Sequence, residues 1–408
     1  MASESEDRTG LFALGIELDG AFTHPVAWRA RVQAAENAGF TFATFGDSLD
    51  PPESGARLDA TVRAGFVAAT TSTLGLVPVI AATYAEPFHL ASQLATLDYA
   101  SRGRAGWLAA DDPATARAWG AAPRTTAAEI RRERVDSIEV ARRLWDSWED
   151  DAVIRDFAAG KFLDRDKLHH IDFIGETFAV KGPAIVPRPP QGQVVVFGYG
   201  TGESEGIDVA LVSGATTEAA TTAIETARAA GISRVLVDIA ITLDDPAAPA
   251  REHPAASARE HPSPSEHPTA PTQEHPTAPT QEHPTAPTQE HPTASAREHP
   301  AASGRVHHAE LDQRPDAERS VGTDSSGRLT FSGTAADLVG LLTQLSEVAD
   351  GVRLHPTAVD ADLPVLAHYV LPALLRSGLA HRPVPGSTLR ANLGLPRPAN
   401  RYAKELAR

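Results

Sequence analysis

Short apolar runs with almost no polar interruption alternate along this chain with longer stretches of helical spacing. Segments 11–18, 40–45, 74–83, 105–109, 194–197, 208–212, 234–243 and 351–355 are predicted strands. Runs such as "LGLVPVIAA" and "RVLVDIAI" lack the in–out alternation of a half-exposed strand, and so predict parallel strands covered on both faces. Between them, Trp28, Val32 and Ala35 recur at helical spacing, with Thr23 as the expected cap, Pro25 in the first turn and Gly39 as the stop. Leu58, Val62, Phe66 and Ala69 keep the same spacing, as do Ile138, Ala141, Trp145 and Trp148, and later Leu363, Leu366, Val370 and Leu374. Eight strands alternating with helices predict a (β/α)8 TIM barrel. The alternative is an open doubly wound sheet, against which no G-x-G-x-x-G follows the first strand.

Three segments break this rhythm. Residues 149–190 form a polar insertion after the fourth helix. The stretch "GYGTGESEGI" gives the fifth crossover only ten residues, so either that connection is stunted or a neighbouring strand is misplaced. Residues 245–320 are a low-complexity insertion in which Glu-His-Pro recurs seven times between Glu252 and Pro300. Its few bulky apolar residues cannot offset the entropy of ordering, so disorder is expected. The expected organisation is a first part of the barrel (1–244, including the 149–190 insertion), the repeat (245–320) and a C-terminal part of the barrel (321–408).

Composition narrows the chemistry. The chain has 408 residues, a net charge of −16 and no cysteine, which excludes disulfides, thiolate metal sites and a cysteine nucleophile. No Lys/Arg cluster offers a track for phosphates, so nucleic acid is not an expected partner. Residues 1–8 are polar, and no run reaches membrane-spanning length, so a cytoplasmic protein without a membrane partner is expected. The repeat spreads one histidine per eight residues along an extended Pro-rich chain. Metal ligands must converge, so no metal site is expected there, nor at His169 and His170 of the polar insertion.

"LATLDYASRGRAGW", "LWDSWEDDAVIRD", "DRDKLHHIDFIGETFAVKGPAIVPRPPQGQ" and "STLRANLGLPRPANRY" together carry a resemblance. They are similar to bacterial luciferase-like flavin-dependent monooxygenases, in the branch that includes nitrilotriacetate monooxygenase component A and dibenzothiophene-sulfone monooxygenase. The resemblance implies a luciferase-like barrel binding reduced FMN, supplied by a separate flavin reductase, at the C-terminal ends of its strands. It also implies that molecular oxygen adds to the flavin and that the flavin hydroperoxide oxygenates a small organic substrate, with a homodimer as the common assembly. The difficult chemistry is then the cofactor's, and the protein positions and shields it.

Against that frame, His24 and His89 are the candidate catalytic residues. His24 is equally a candidate for helix entry, and His89 for packing in the first turn of a helix beside Glu86. Asp47 and Thr83 are candidate cofactor contacts because each ends a strand; Asp47 is also a candidate cap or turn residue. Tyr84, Trp107, Arg131, Gly198, Gly200 and Thr201 complete the cofactor-binding set; Trp107 is first a candidate for barrel packing, and the last three form either a backbone turn for a phosphate or a plain tight loop. The sequence departs from the relatives at three places. Only Thr83 keeps a hydroxyl in "AATY" before Tyr84, "LAADD" follows the fourth-strand "GW", and "AAEIRRE" retains Arg131 without the relatives' His and Tyr. These departures keep two other readings open: a deazaflavin-dependent oxidoreductase, and a degenerate barrel that acts as a binding partner.

If the repeat is a spacer, deleting 251–300 leaves the unfolding temperature within a degree or two of the full chain's, measured by circular dichroism.

Overall fold

The computed structural model describes residues 12–19, 24–47, 58–200, 206–244, 322–323 and 327–403. Thr23, Thr201 and the whole Glu-His-Pro repeat lie outside these residues. The eight barrel strands are β1 (Ala13–Glu17), β2 (Phe42–Phe45), β3 (Gly75–Ala81), β4 (Gly106–Ala110), β9 (Val195–Tyr199), β10 (Val209–Val212), β11 (Arg234–Leu243) and β14 (Gly351–Pro356). Each runs parallel to its neighbours, and pairings of β10 with β11 and of β14 with β1 close the ring. The fold is therefore a (β/α)8 barrel, with every predicted strand in place.

Helices α1 (Pro25–Ala38), α2 (Ala60–Ala68), α3 (Pro87–Ala100), α4 (Pro113–Ala118), α5 (Ala127–Asp146), α6 (Thr217–Ala229) and α7 (Ala335–Leu345) accompany the strands, and a further helix begins at α8 (Val359–Val365). Trp28, Val32 and Ala35 are buried as their spacing predicts, as are Ile138, Ala141 and Trp145 on α5. On α2 the expected face is turned the other way. Arg63, Ala64, Val67 and Ala68 face the barrel, while Leu58, Val62 and Phe66 are exposed. The reason is Arg63, whose guanidinium is drawn inward to Asp19 (3.1 Å) and over the Trp28 ring.

The polar insertion folds as two short antiparallel pairs, β5 (Val153–Asp156) with β6 (Lys161–Leu163) and β7 (Phe173–Ile174) with β8 (Ala179–Val180). The fifth crossover is short, yet β9 and β10 are both present and adjacent. Helix α5 reaches across this gap: Arg142 donates to the Gly206 carbonyl (2.8 Å) and pairs with Asp208 (3.0 Å). β11 outruns the ring. Its C-terminal half pairs with an extra parallel strand, β13 (Leu329–Gly333), which in turn pairs with β12 (Gly322–Thr323). The described chain thus leaves after β11 at Asp244 and resumes in β12, with β13 lying between β12 and the C-terminal half of β11.

Two apolar layers result. The outer one lies between sheet and helices. The inner one fills the lower barrel with Phe42, Val77, Leu108, Val195, Phe197, Val209, Leu211 and Leu236. Phe42 and Phe197 meet with centroids 5.0 Å apart. Gly15 is bare because a Cβ there would lie 2.3 Å from the Phe42 ring. The C-terminal helix α10 (Leu389–Asn392, with α9 at Leu371–Arg376 before it) plugs the barrel's base with Leu389, Leu393 and Leu395. Among the described residues, the opposite end, where the strands terminate, turns Glu17, Thr44, Asp238, Arg353 and His355 into the barrel.

At the base, Asp98 is fully buried and accepts hydrogen bonds from Ala105 N (3.1 Å) and Gln191 Nε2 (2.6 Å). Burial outweighs these bonds and pushes its carboxyl up from 3.8 to about 7. The folded state therefore binds this proton more tightly than the unfolded chain. Its contribution to stability is full below about pH 4 and is lost as pH rises towards 7, by roughly 4 kcal/mol in all. Asp98→Asn keeps both short bonds and removes the titration. Its stability relative to wild type should rise steadily from pH 4 to 8 in urea melts; a pH-independent difference would contradict the shift.

Candidate active site

Inward-facing positions alternate along each strand, so residues two apart share the barrel interior. On β14 these are Arg353 and His355; on β11, Asp238; on β1, Glu17; on β2, Thr44; and on β9, Tyr199. They form a polar layer directly above the apolar plug. Arg353 and Asp238 stand side by side in register, joined by Nε–Oδ1 (2.8 Å) and Nη2–Oδ2 (2.5 Å) bonds. Both are 1% exposed. One turn of the pleat higher, His355 Nδ1 lies 2.7 Å from Glu17 Oε2, and its Nε2 lies 3.5 Å from Asp238 Oδ1. The Arg353 guanidinium lies 5.8 Å from the centroid of the half-exposed Tyr199 ring.

Burial of these charges would be costly if they were unpaired. Burial disfavours the ionised forms, but Arg353 and His355 overcome this at Asp238 and hold its carboxyl well below the usual range. Asp238 in turn raises Arg353. Burial works against the His355 cation, yet hydrogen bonds to Asp238 and Glu17 raise its pKa above the ordinary histidine value. Four buried polar atoms of the layer lack a well-directed hydrogen bond: Arg353 Nη1, the Oγ1 of fully buried Thr44, and both ring nitrogens of His355, which meet Glu17 and Asp238 at ion-pair distance.

Beside this layer, Asp19 accepts from Gly46 N (2.6 Å) and pairs with Arg63. Burial, then the Glu17 charge, raises the Asp19 pKa. Gly46 must be glycine here, since a Cβ would sit 2.0 Å from Asp19 Oδ2. At the end of β3, Tyr84 adopts a left-handed φ of 60°, a strain of about 1–3 kcal/mol for a non-glycine residue. It is held there from α5: Glu133 Oε1 accepts from Tyr84 N (2.9 Å), and Glu133 also pairs with Arg124, which lies over the Tyr84 ring.

The candidates from the sequence are spread around this mouth. Thr83 is buried at the end of β3, next to strained Tyr84. Asp47 lies just past β2 and accepts from Ala60 N (2.7 Å), fastening the start of α2. His24 is the cap of α1, its Nδ1 accepting from Val26 N (3.2 Å), a place the sequence had assigned to Thr23. His89 is exposed in the first turn of α3, where Glu86 is the cap. Arg131 is half-buried on α5. Trp107 is not brought to the mouth. It belongs to the outer core, with Nε1 donating to the Ile80 carbonyl (3.1 Å). Gly198 also faces outward, under Ile207, and Gly200, just past β9, lies against Val212.

The sequence reasoning missed Glu17, Asp238, Arg353 and His355. The signal was available: a charge inside "RVLVDIAI" needs a buried partner, and Arg353 and His355 are two apart in "GVRLHP". A lateral cleft of about 530 Å³ between α3 and the insertion, lined by Tyr99, Asp150, Arg155 and Arg188 among others, contains none of the candidates.

The layer offers what a reduced flavin ring requires: cationic donors for the edge that becomes negative on reduction, an aromatic wall, and a buried hydroxyl and an N–H without partners. The residues present fit the group.

Arg353→Met leaves Asp238 buried with its main partner gone and should cost about 3–5 kcal/mol in urea unfolding. Adding Asp238→Leu should restore most of that loss. A single substitution costing under about 1 kcal/mol would show that the pair is not dry.

Residues 17–342 match the family described as luciferase-like monooxygenase. N-acetyl-S-(2-succino)cysteine monooxygenase of Bacillus subtilis (strain 168) is 27% identical over 379 residues, covering 88% of this chain and 86% of that one. Nitrilotriacetate monooxygenase component A of Aminobacter aminovorans is 27% identical over 383 residues, covering 88% and 83%. The solved structure of an EDTA monooxygenase from Chelativorans sp. BNC1 superimposes with a TM-score of 0.65 at 18% identity, over 95% of this chain and 99% of that one, and so shares the fold. This closed barrel, with its charged layer at the C-terminal mouth, belongs to the luciferase-like monooxygenase family of flavin-dependent enzymes.

Proposed function

We propose that the chain is a monooxygenase that uses reduced FMN, delivered by a separate reductase, to oxygenate a small organic substrate in the cytoplasm. The observation that carries this reading is the family match across 17–342, within which lie Glu17, Thr44, Tyr199 and Asp238 of the mouth. The word "component" in the name of the Aminobacter relative supports a second protein that supplies the flavin. When bound, reduced FMN would supply the electrons that place one atom of dioxygen in the substrate and send the other to water.

The chain's own residues then have definable tasks. Tyr199, His355 and Arg353 would hold the ring, with Arg353 fixed in orientation by Asp238. Glu17 and Asp238 favour the protonated form of His355, whose cationic ring would face the negative charge of the reduced flavin. The plug of Phe42, Phe197 and Leu211 excludes water from below. Thr83 and Tyr84 at β3, Asp47 at β2, and Gly200 with Thr201 after β9 are proposed for the ribityl phosphate arm, with Gly198 and Arg131 supporting it from behind. His24 and His89, both at the first turns of helices that follow strand ends, are proposed to face the substrate at the rim.

Anaerobic titration tests this reading. Reduced FMN should bind with micromolar or tighter affinity, read by absorbance and fluorescence, and admitting oxygen with substrate should consume dioxygen. His355→Gln should weaken reduced-FMN binding about tenfold or more while leaving the fold intact. Binding of a deazaflavin alone would turn the reading to hydride transfer, and binding of neither would sink it.

A further inference from the structure

The cleft between α3 and the polar insertion lies away from the mouth, because α3 starts just past the end of β3 and finishes where β4 is about to begin. Its volume of about 530 Å³ is within the usual range for small-molecule sites. The half-exposed Tyr99 ring and half-buried Val153, Val186 and Pro187 give it an apolar wall. The Tyr99 hydroxyl donates to the Arg188 carbonyl (2.8 Å), which fixes the ring. Three of the charged side chains in the wall are already matched. Arg188 and Arg397 hold Asp150 at 2.8 and 2.6 Å, and His169 meets Glu149 at 2.8 Å. The fourth, exposed Arg155, makes no ion pair among the described residues.

The backbone is bent where it carries that guanidinium. From Val153 to Asp156, β5 advances three residues while β6 advances two, from Leu163 to Lys161, so β5 bulges here. A bulge re-aims the side chains it carries. Arg155 lies in the bulge with a left-handed φ of 54°, a conformation that costs energy for any residue with a Cβ. Burial raises the Tyr99 pKa and Asp98 adds to this, whereas the Arg155 charge lowers it, so guanidinium and phenol face the same space. We propose that this cleft binds a small aromatic carboxylate, with its carboxylate on Arg155 and its ring against Tyr99 and the apolar wall. A guanidinium meets a carboxylate through two parallel N–H bonds, so one arginine suffices to orient the ligand. Glu149 and Asp150 line the same cleft and repel a second negative charge, so a monoanion is favoured over a phosphate dianion. The site lies apart from the mouth and does not depend on which cofactor the mouth takes.

Isothermal titration of the full chain at about pH 8 tests this with three probes of similar shape: benzoate, neutral benzamide, and phenyl phosphate, which is a dianion there. The wild type should bind benzoate at one site in the millimolar range or tighter, and the other two at least about tenfold more weakly. Arg155→Gly removes the guanidinium and the backbone strain together. It should weaken benzoate binding by about tenfold or more, while its unfolding temperature stays the same or rises. Arg155→Asn, whose side chain also tolerates the left-handed conformation, should lose the same affinity. A wild type that ignores benzoate, benzamide or phenyl phosphate binding as tightly as benzoate, or an affinity unchanged in both variants would overturn the proposal.

Discussion

One buried ion pair sets the terms for the upper half of this barrel. Asp238 and Arg353 sit opposite each other on neighbouring strands, inside a ring of apolar side chains, with almost no contact with water. Charges in such a place are tolerated only when paired and hydrogen-bonded, so each strand constrains the side-chain direction of the other. The pair also fixes where the apolar plug must stop. Below it, Phe42, Phe197 and the C-terminal leucines fill the interior; above it, His355 and Glu17 extend the polar layer to the rim. A barrel packed throughout with aliphatic residues would be easier to stabilise, but it would offer no charged floor to a cofactor.

The mouth is held from several directions. α2 contributes Arg63 to Asp19, and α5 contributes Glu133 to the strained backbone at Tyr84. These contacts place rigid helices behind the strand ends, which is what a site needs if it must hold a flat ring in one orientation and keep water away from it. The base has the opposite design. Asp98, Gln191, Arg390 and Asp208 form a closed polar network around the C-terminal helix, and its role is to seal the barrel.

Much of the fold was legible in the sequence because burial on both faces leaves its mark on every residue of a strand. "LGLVPVIAA" and "RVLVDIAITL" needed no partner to be recognised. The same property hid the site. A reader scanning for unbroken apolar character passes over Asp238, and Arg353 and His355 become meaningful only once β14 is known to lie between β1 and β11. Helix α2 was misleading for a related reason. Its spacing is amphipathic, but a single buried arginine, satisfied by a carboxylate 44 residues away, decides which side faces in. The cap of α1 shifted by one residue, from Thr23 to His24, because either side chain can accept the free N–H of the first turn. Trp107 took the packing role that its motif allowed: its neighbours Gly106 and Leu108 point into the barrel, which turns the indole outward into the core.

The central claim is spatial: the flavin ring rests on the layer formed by Arg353, His355, Glu17 and Tyr199. A crystal structure of the protein grown with FMN tests it most directly. The account predicts the ring in van der Waals contact with Tyr199 and His355, above the Asp238–Arg353 pair, with both ion pairs retained. A flavin lodged instead in the lateral cleft beside Tyr99 and Arg188, with the mouth left to solvent, would contradict it.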